Sequence, residues 1–427
     1  MTTTTSPNTP SNRPAANSAP PKKGFAALQS RNFRLLWFGM VISNVGNWMA
    51  ITAEGWLVTD LEPTRAPVVI GMISVAFAVP MLTLPPFGGA MADRFNRVRM
   101  LWVVQIGYFI LSSLIAVAMV TGIIQVWMLI AYSFGLGVVL ALDSPVRNAM
   151  LPDMVEKHQL SGAISLNSAA YSGAALIGPA IAGLLIPISF IGIEGLYVFN
   201  AISCLPILLS LHLMRDLPAH REHASARGPV LGAIAAGFRY ARSSRVILGV
   251  LMMSVISGIF ARSYSPLLAV FARDVFGIDA ALFGLMLAAP GLGTLVGAFG
   301  IAGRRDIQAR GKAAWGFVSL FAAMLFLFAV TPWYPLAVAF LIVAGLALTV
   351  STSQLATIVQ LTTPNEYRGR VMSIFMLTVI GVPSLGTFLS GWIANRVGVQ
   401  PTVAGGAALV LVLAALLFWR NAALREA

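Results

Sequence analysis

Twelve apolar runs, each about 20 residues long, constrain this chain more than anything else in it, because that is the length an α-helix needs to cross a hydrocarbon core. They fall near 33–58, 68–89, 99–121, 123–143, 163–189, 193–214, 246–271, 279–301, 313–331, 333–356, 369–394 and 401–420. A soluble domain has roughly 25% charged residues, whereas this chain of 427 residues is 58% hydrophobic and 10% charged, too apolar to hide in water. In lipid each backbone N–H and C=O must be paired within the protein, so runs of this length read as helices. The sequence therefore predicts an all-α membrane protein with twelve transmembrane helices, whose first partner is the lipid bilayer.

The chain also repeats itself at half its length. Arg34 before the first run corresponds to Arg245 before the seventh, Gly71 to Gly284, Gly89 to Gly300, and Pro152 to Pro364, with offsets of 211–213 residues. Two pseudo-symmetric six-helix bundles in parallel register follow from this. The expected division is a disordered cytoplasmic tail over 1–24, an N-terminal bundle over 25–214, a cytoplasmic linker loop over 215–244, and a C-terminal bundle with a short tail over 245–427.

The 28 Lys and Arg residues set the expected orientation. With both termini cytoplasmic, 24 of them fall inside, leaving Arg65, Arg262, Arg273 and Arg396 elsewhere. That bias matches the positive-inside rule. The net charge of +13 is then a topology signal, since its charges are dispersed over short loops and form no nucleic-acid-binding patch. A bacterial inner (plasma) membrane is the expected location, and a monomer the expected state.

Several function classes fall away on composition. The tail lacks the apolar stretch and cleavage site of a secretory signal. Cys204 is the single cysteine, which excludes an intramolecular disulfide, and the four histidines show no metal-site spacing. No Walker-type phosphate loop occurs, so ATP-driven transport by this chain is not expected, nor is a cofactor. The glycines of Gly291-Leu292-Gly293-Thr294-Leu295-Val296-Gly297 lie inside an apolar run, where they let another helix approach closely.

Between the second and third runs lies Gly89-Ala90-Met91-Ala92-Asp93-Arg94-Phe95-Asn96-Arg97-Val98-Arg99. This tract resembles the loop signature G-x-x-x-D-R-x-G-R-x-R of the major facilitator superfamily, with Asn96 in place of the second glycine; Asn also tolerates the left-handed backbone. The resemblance continues through Ile42-Ser43-Asn44-Val45-Gly46-Asn47-Trp48-Met49, Asp143-Ser144-Pro145-Val146-Arg147, Leu151-Pro152-Asp153-Met154-Val155, Gly178-Pro179-Ala180-Ile181-Ala182-Gly183 and Pro364-Asn365-Glu366-Tyr367-Arg368-Gly369-Arg370. It covers nearly the whole chain after the tail and is closest to the proton-coupled efflux branch that holds enterobactin exporters and macrolide pumps. The resemblance implies a cytoplasmic gate of Gly89, Asp93, Arg94, Arg97, Asp143, Arg147, Gly369 and Arg370. In it Asp93 faces the start of the eleventh helix, and Arg97 pairs with Asp143.

The fifth run resembles the antiporter signature G-x-x-x-G-P-x-x-G-G, with Ala174 and Ala182 replacing two glycines. Gly178, Pro179 and Gly183 would then form a closing seam, in which proline bends the helix and small residues admit a neighbour. Asn44, Asn47 and Glu54 share one face of the first helix at about 100° per residue. Glu54 stands where similar family members commonly carry glutamine. An ionisable group in a span is costly without a partner or water, which makes Glu54 a candidate for proton or cation handling. Arg262, well separated from both predicted membrane edges, is a candidate partner for Glu54 across the halves or for an anionic substrate group.

The expected function is secondary active export of an amphipathic organic small molecule such as a drug or siderophore, driven by proton antiport through alternating access, with no enzymatic step. The competing expectations are a proton-coupled metabolite importer and a transporter-like membrane sensor without turnover.

Overall fold

The computed structural model describes residues 25–85, 87, 95–214, 230–302 and 310–426. The tail, Gly89, Asp93, Arg94 and the first half of the linker lie outside the described residues. Twelve helices are long and apolar enough to span a membrane, and among the described residues there is no strand. We number them α1 (Arg31–Leu61), α2 (Ala66–Thr83), α3 (Arg97–Val120), α4 (Val126–Met154), α5 (Lys157–Leu185), α6 (Gly192–Leu213), α7 (Arg245–Val275), α8 (Ala280–Gly300), α9 (Arg310–Val330), α10 (Tyr334–Thr362), α11 (Asn365–Val397) and α12 (Val399–Arg420). The side of the bundle where α1 begins is called the near face, and the side where it ends the far face.

The helices overrun the apolar runs that announce them. α4 extends past residue 143 to Met154 and keeps Pro145 and Pro152 inside it, because a proline costs one backbone bond but need not end a helix that its neighbours support. The linker is not all loop: Val230–Ser243 is helical, and Tyr240 stacks on Tyr367 at the start of α11 with ring centroids 4.7 Å apart. α11 and α12 are joined by Gly398 alone, at φ 90°, a backbone conformation open to glycine.

Inside and outside are inverted relative to a soluble bundle. α3 exposes Val103, Ile106, Ile110, Leu114 and Val117 at helical spacing, and buries Gln105, Tyr108 and Ser112 on its other side. Lipid tails are as apolar as the exposed stripe, so association rests on close packing and interhelical hydrogen bonds. The small residues serve that packing. Gly293 and Gly297 sit against Ile342 and Leu346 of α10, as the glycine cluster predicts.

Contacts between the halves run from the far face toward the middle of the bundle. α5 meets α8, where a Cβ on Gly183 would lie 2.8 Å from the Cα of Gly284. α2 meets α11, where a Cβ on Gly71 would lie 2.7 Å from the Cα of Phe388. Gly71 and Gly284 are the pair that the repeat equates, so the internal symmetry reappears as two equivalent close contacts. At the far face Arg273 at the end of α7 pairs with Asp60 at the end of α1, and its guanidinium carbon lies 5.0 Å from the Trp56 ring centroid.

Candidate functional site

The polar residues of the N-terminal half gather between α1, α3, α4 and α6. Ser133 Oγ donates to Glu54 Oε1 at 2.8 Å, and both side chains are buried. Tyr132 and Tyr197 stand close enough to interact electrostatically with Glu54. The Tyr197 hydroxyl is buried with no hydrogen-bond partner. Deeper in the bundle, Tyr108 Oη lies 3.0 Å from Asn47 Oδ1 and 3.1 Å from Asn200 Oδ1, placed to donate to either. Asn200 Nδ2 in turn faces Tyr132 Oη at 3.1 Å and Ser112 Oγ at 3.3 Å. Most of these buried polar groups are paired, as burial demands, the exceptions in this column being Tyr197 Oη, Gln105 Oε1 and Arg147 Nε.

One turn from Tyr108, Gln105 Nε2 donates to Asp143 Oδ1 at 2.7 Å, and Arg147, a turn further along α4, pairs with the other carboxylate oxygen. The polar column thus runs from Glu54, toward the far face, to Arg147 near the near face. Asn47 and Glu54 both face into this half, although their partners sit on different helices. Asn44 is half-buried beside them.

Two expected pairings are not formed. Arg97 does not pair with Asp143: its guanidinium donates to Asp153 Oδ2 at 2.7 Å and to the Ala149 carbonyl at 2.9 Å. α4 supplies both acceptors because it continues about three turns beyond Asp143, which the apolar run did not announce. Asp143 is meanwhile held by Arg147 on its own helix. Arg262 does not reach Glu54 either, since Glu54 is held by Ser133 within the N-terminal half. Arg262 instead borders a cavity of the C-terminal half lined by Ser254, Ser257, Ser351 and Thr352. Gly369 and Arg370 are exposed at the start of α11, with the Arg370 guanidinium carbon 5.8 Å from the Tyr367 ring centroid.

Two parts of the α5 seam face different neighbours. A Cβ on Gly178 would lie 2.6 Å from Trp48 Cβ of α1, within the same half. Gly183 and the Pro179 carbonyl face Gly284 of α8, across the halves. Sequence reasoning did not single out Ser133, Tyr108, Tyr132, Asn200, Gln105 or the Asp60–Arg273 pair. The signal available for the first five was their polarity inside apolar runs. For Asp60 and Arg273, 213 residues apart in the chain, only the fold brings the charges together.

Comparison with known proteins agrees with this architecture. The chain is 27% identical over 258 residues to the staphyloferrin A transporter of Staphylococcus aureus, spanning 59% of this chain and 62% of that relative. It is 23% identical over 377 residues to the multidrug efflux pump Tap of Mycolicibacterium fortuitum, spanning 86% of this chain and 90% of the pump. Among solved structures, a bacterial homologue of the human lysosomal transporter Spinster, in an inward-facing and unoccupied conformation, superposes with a TM-score of 0.71. That likeness covers 92% of this chain and 98% of the other at 14% identity, and it speaks to the fold. A family model described as transmembrane secretion effector matches residues 22–427. With the doubled six-helix fold and these relatives, the chain belongs to that family, in the efflux branch of the major facilitator superfamily, and is an integral, multi-pass secondary transporter of small molecules.

Proposed function

We propose that this transporter exports an amphipathic organic molecule from the cytoplasm in exchange for protons. The near face, which carries most of the Lys and Arg residues, is cytoplasmic in this reading. The observation that carries the proposal is Glu54: a buried carboxylate in a membrane helix whose hydrogen-bond partner among the described residues is the neutral Ser133 hydroxyl. With no cation paired to it among the described residues, binding a proton is the chemistry that removes its charge from hydrocarbon. Seating that proton from the far side and releasing it to the near side couples the gradient to a change of access.

The seam supplies the mechanical half. Gly183 and Gly284 close α5 onto α8 at the far face, so that face is shut while the near face receives substrate. Opening it separates two backbones that have no side chains between them, and the halves rock about the centre. The membrane potential contributes about 2.3 kcal/mol per charge per 100 mV to such an exchange. The names of the relatives, a siderophore transporter and a multidrug pump, support an organic substrate and the efflux direction. No cofactor is needed beyond the proton gradient, a single chain suffices, and the gate residues around Arg97, Asp143 and Arg147 latch the near face.

The test is transport by everted membrane vesicles across a panel of drugs and siderophores, with and without an imposed pH gradient. Accumulation that collapses when the gradient is discharged is the expected result. Accumulation in right-side-out vesicles instead would make the protein an importer. Absence of counterflow in proteoliposomes for every compound would leave a sensor without turnover.

A further inference from the structure

The C-terminal half contains a charged group that proton exchange at Glu54 leaves unused. α7 is broken where it passes through the bundle: it is α-helical to Phe260, a 3-10 segment from Arg262 to Leu267, and a π-helix from Phe271 to Val275. Irregular backbone at membrane depth persists where protein buries it or where it lines a polar cavity. Arg262 opens this irregular stretch. Among the described residues no carboxylate lies within ion-pair distance of it.

What Arg262 does border is a cavity of about 10 Å³ walled by Ser254 and Ser257 of α7 and Ser351 and Thr352 of α10. Ser257 and Ser351 turn their protons to carbonyls of their own helices. Ser254 and Thr378 share a hydrogen bond at 2.8 Å, and Thr378 also reaches the Phe375 carbonyl at 2.7 Å, so its single proton serves one of the two. Arg262 and three buried hydroxyl residues, Ser254, Ser257 and Ser351, therefore border one small space. Space of about 10 Å³ holds roughly one water-sized group. That excludes a quaternary ammonium by size as well as by charge, admits one oxygen of an anion, and favours a carboxylate, which brings a single further oxygen to the cavity mouth where a phosphate monoester brings three.

We infer that this cavity takes one terminal anionic oxygen of the transported molecule, so that the exported amphiphile is an organic carboxylate. The inference rests on the exporter reading and names its substrate class. The rest of the molecule lies outside the cavity. The carboxylate supplies the counter-charge that a desolvated arginine requires, and a neutral isostere leaves Arg262 unpaired.

The experiment uses dansylglycine and its uncharged amide as a matched pair, with binding to the purified full chain in nanodiscs followed by dansyl fluorescence. The wild type is expected to bind the carboxylate about tenfold more tightly than the amide, the size of a charge-assisted hydrogen bond. Arg262→Gln should erase that preference and leave amide binding as it was. Arg262→Lys should keep part of it, and Ser254→Ala should reduce it by a few fold. If Arg262→Gln does not fold, the Lys and Ser254→Ala variants carry the test. Equal binding of the two probes by the wild type, no binding of either, or a preference that survives in Arg262→Gln or is unchanged in both other variants overturns the inference. Vesicle transport of the same pair separates the two proposals. Binding preference without export in any vesicle orientation would sink the exporter reading alone, whereas export indifferent to charge would sink the carboxylate site alone.

Discussion

The two halves share an architecture and differ in what they bury. Among the described residues the buried acids are Glu54 and Asp143, both in the N-terminal half, and each has a protein donor. Tyr108, Asn200, Tyr132 and Ser112 close a network between them. The C-terminal half buries no acid among the described residues. It holds Arg262, a row of hydroxyls, and the side-chain atoms Gln354 Oε1 and Trp315 Nε1 without partners. A fold built twice from one template has thus placed its buried acids in one half and its mid-membrane arginine in the other, while both halves leave buried polar atoms unpaired, Trp48 Nε1, Gln105 Oε1, Arg147 Nε and Tyr197 Oη in the first of them. A carboxylate can take up a proton and give it back, whereas an arginine stays a cation and can only hold a counter-charge. The difference matches the division of labour proposed above, with proton exchange assigned to one half and substrate recognition to the other.

The sharpest break of that comparison is Glu54→Gln. The glutamine keeps the size and an acceptor for Ser133 but cannot titrate. Uphill export is expected to fall by at least about tenfold, the effect of losing roughly 1.4 kcal/mol of coupling. Downhill exchange should persist, because it moves no net proton. Wild-type exchange is expected to change with pH as Glu54 gains and loses its proton, and in the variant that profile should flatten. Substrate flux against pH in proteoliposomes decides it. A wild-type rate and profile would move the proton to another group, with Asp143 the next carboxylate to vary.

How much of this was legible beforehand depends on how local each signal is. The span count and the half-chain repeat rest on composition within single segments, and the twelve helices match them. The seam was legible because one helix carries its small residues, although the sequence does not tell that Gly178 faces α1 while Gly183 faces α8. Glu54 and Arg262 were legible as charges in apolar runs, but their partners were not. Ser133 is 79 residues from Glu54 and Asn200 is 92 from Tyr108, and a pairing of that range is set by tertiary packing. The expected Arg97–Asp143 pair failed for a local reason. The apolar run stops at the charge of Asp143, whereas α4 continues to Met154 and brings Asp153 to Arg97.

A second break acts on the far-face contact that joins the halves. In Gly183→Val the new side chain meets the Ala280 carbonyl and the Gly284 backbone, neither of which can move aside as a side-chain tip does. Overpacking of this kind costs about 1–3 kcal/mol, so closure of the far face should weaken about tenfold or more. Two outcomes follow from incomplete closure: slower export and a proton leak through the resting protein. Gly173→Val, where nothing lies within 4 Å of the added atom, is the control on the same helix. Equal flux and equal proton permeability in the two variants would remove the seam from the mechanism.

The smallest expected effect concerns the ion pair that ties the far ends of α1 and α7. Asp60 and Arg273 are partly exposed, 40% and 33%, and exposed pairs contribute roughly 0.2–1 kcal/mol. Asp60→Asn should therefore change exchange rates by no more than about fivefold. Arg273→Gln should do somewhat more, because it removes both the pair and the contact of the guanidinium with the Trp56 ring, worth about 0.5–1 kcal/mol at an exposed site. Salt separates these contributions. The Asp60–Arg273 attraction is screened within about 10 Å at 0.1 M, so the Asp60→Asn effect should shrink as ionic strength rises, while the extra loss in Arg273→Gln persists. Exchanging the charges, Asp60→Arg with Arg273→Asp, restores the attraction but carries the guanidinium away from its place over Trp56, and so should recover the salt-dependent part alone. Additive effects of the two single substitutions, with no recovery in the exchanged pair, would show that the pair lends nothing to closure and that α5 and α8 hold the far face without it.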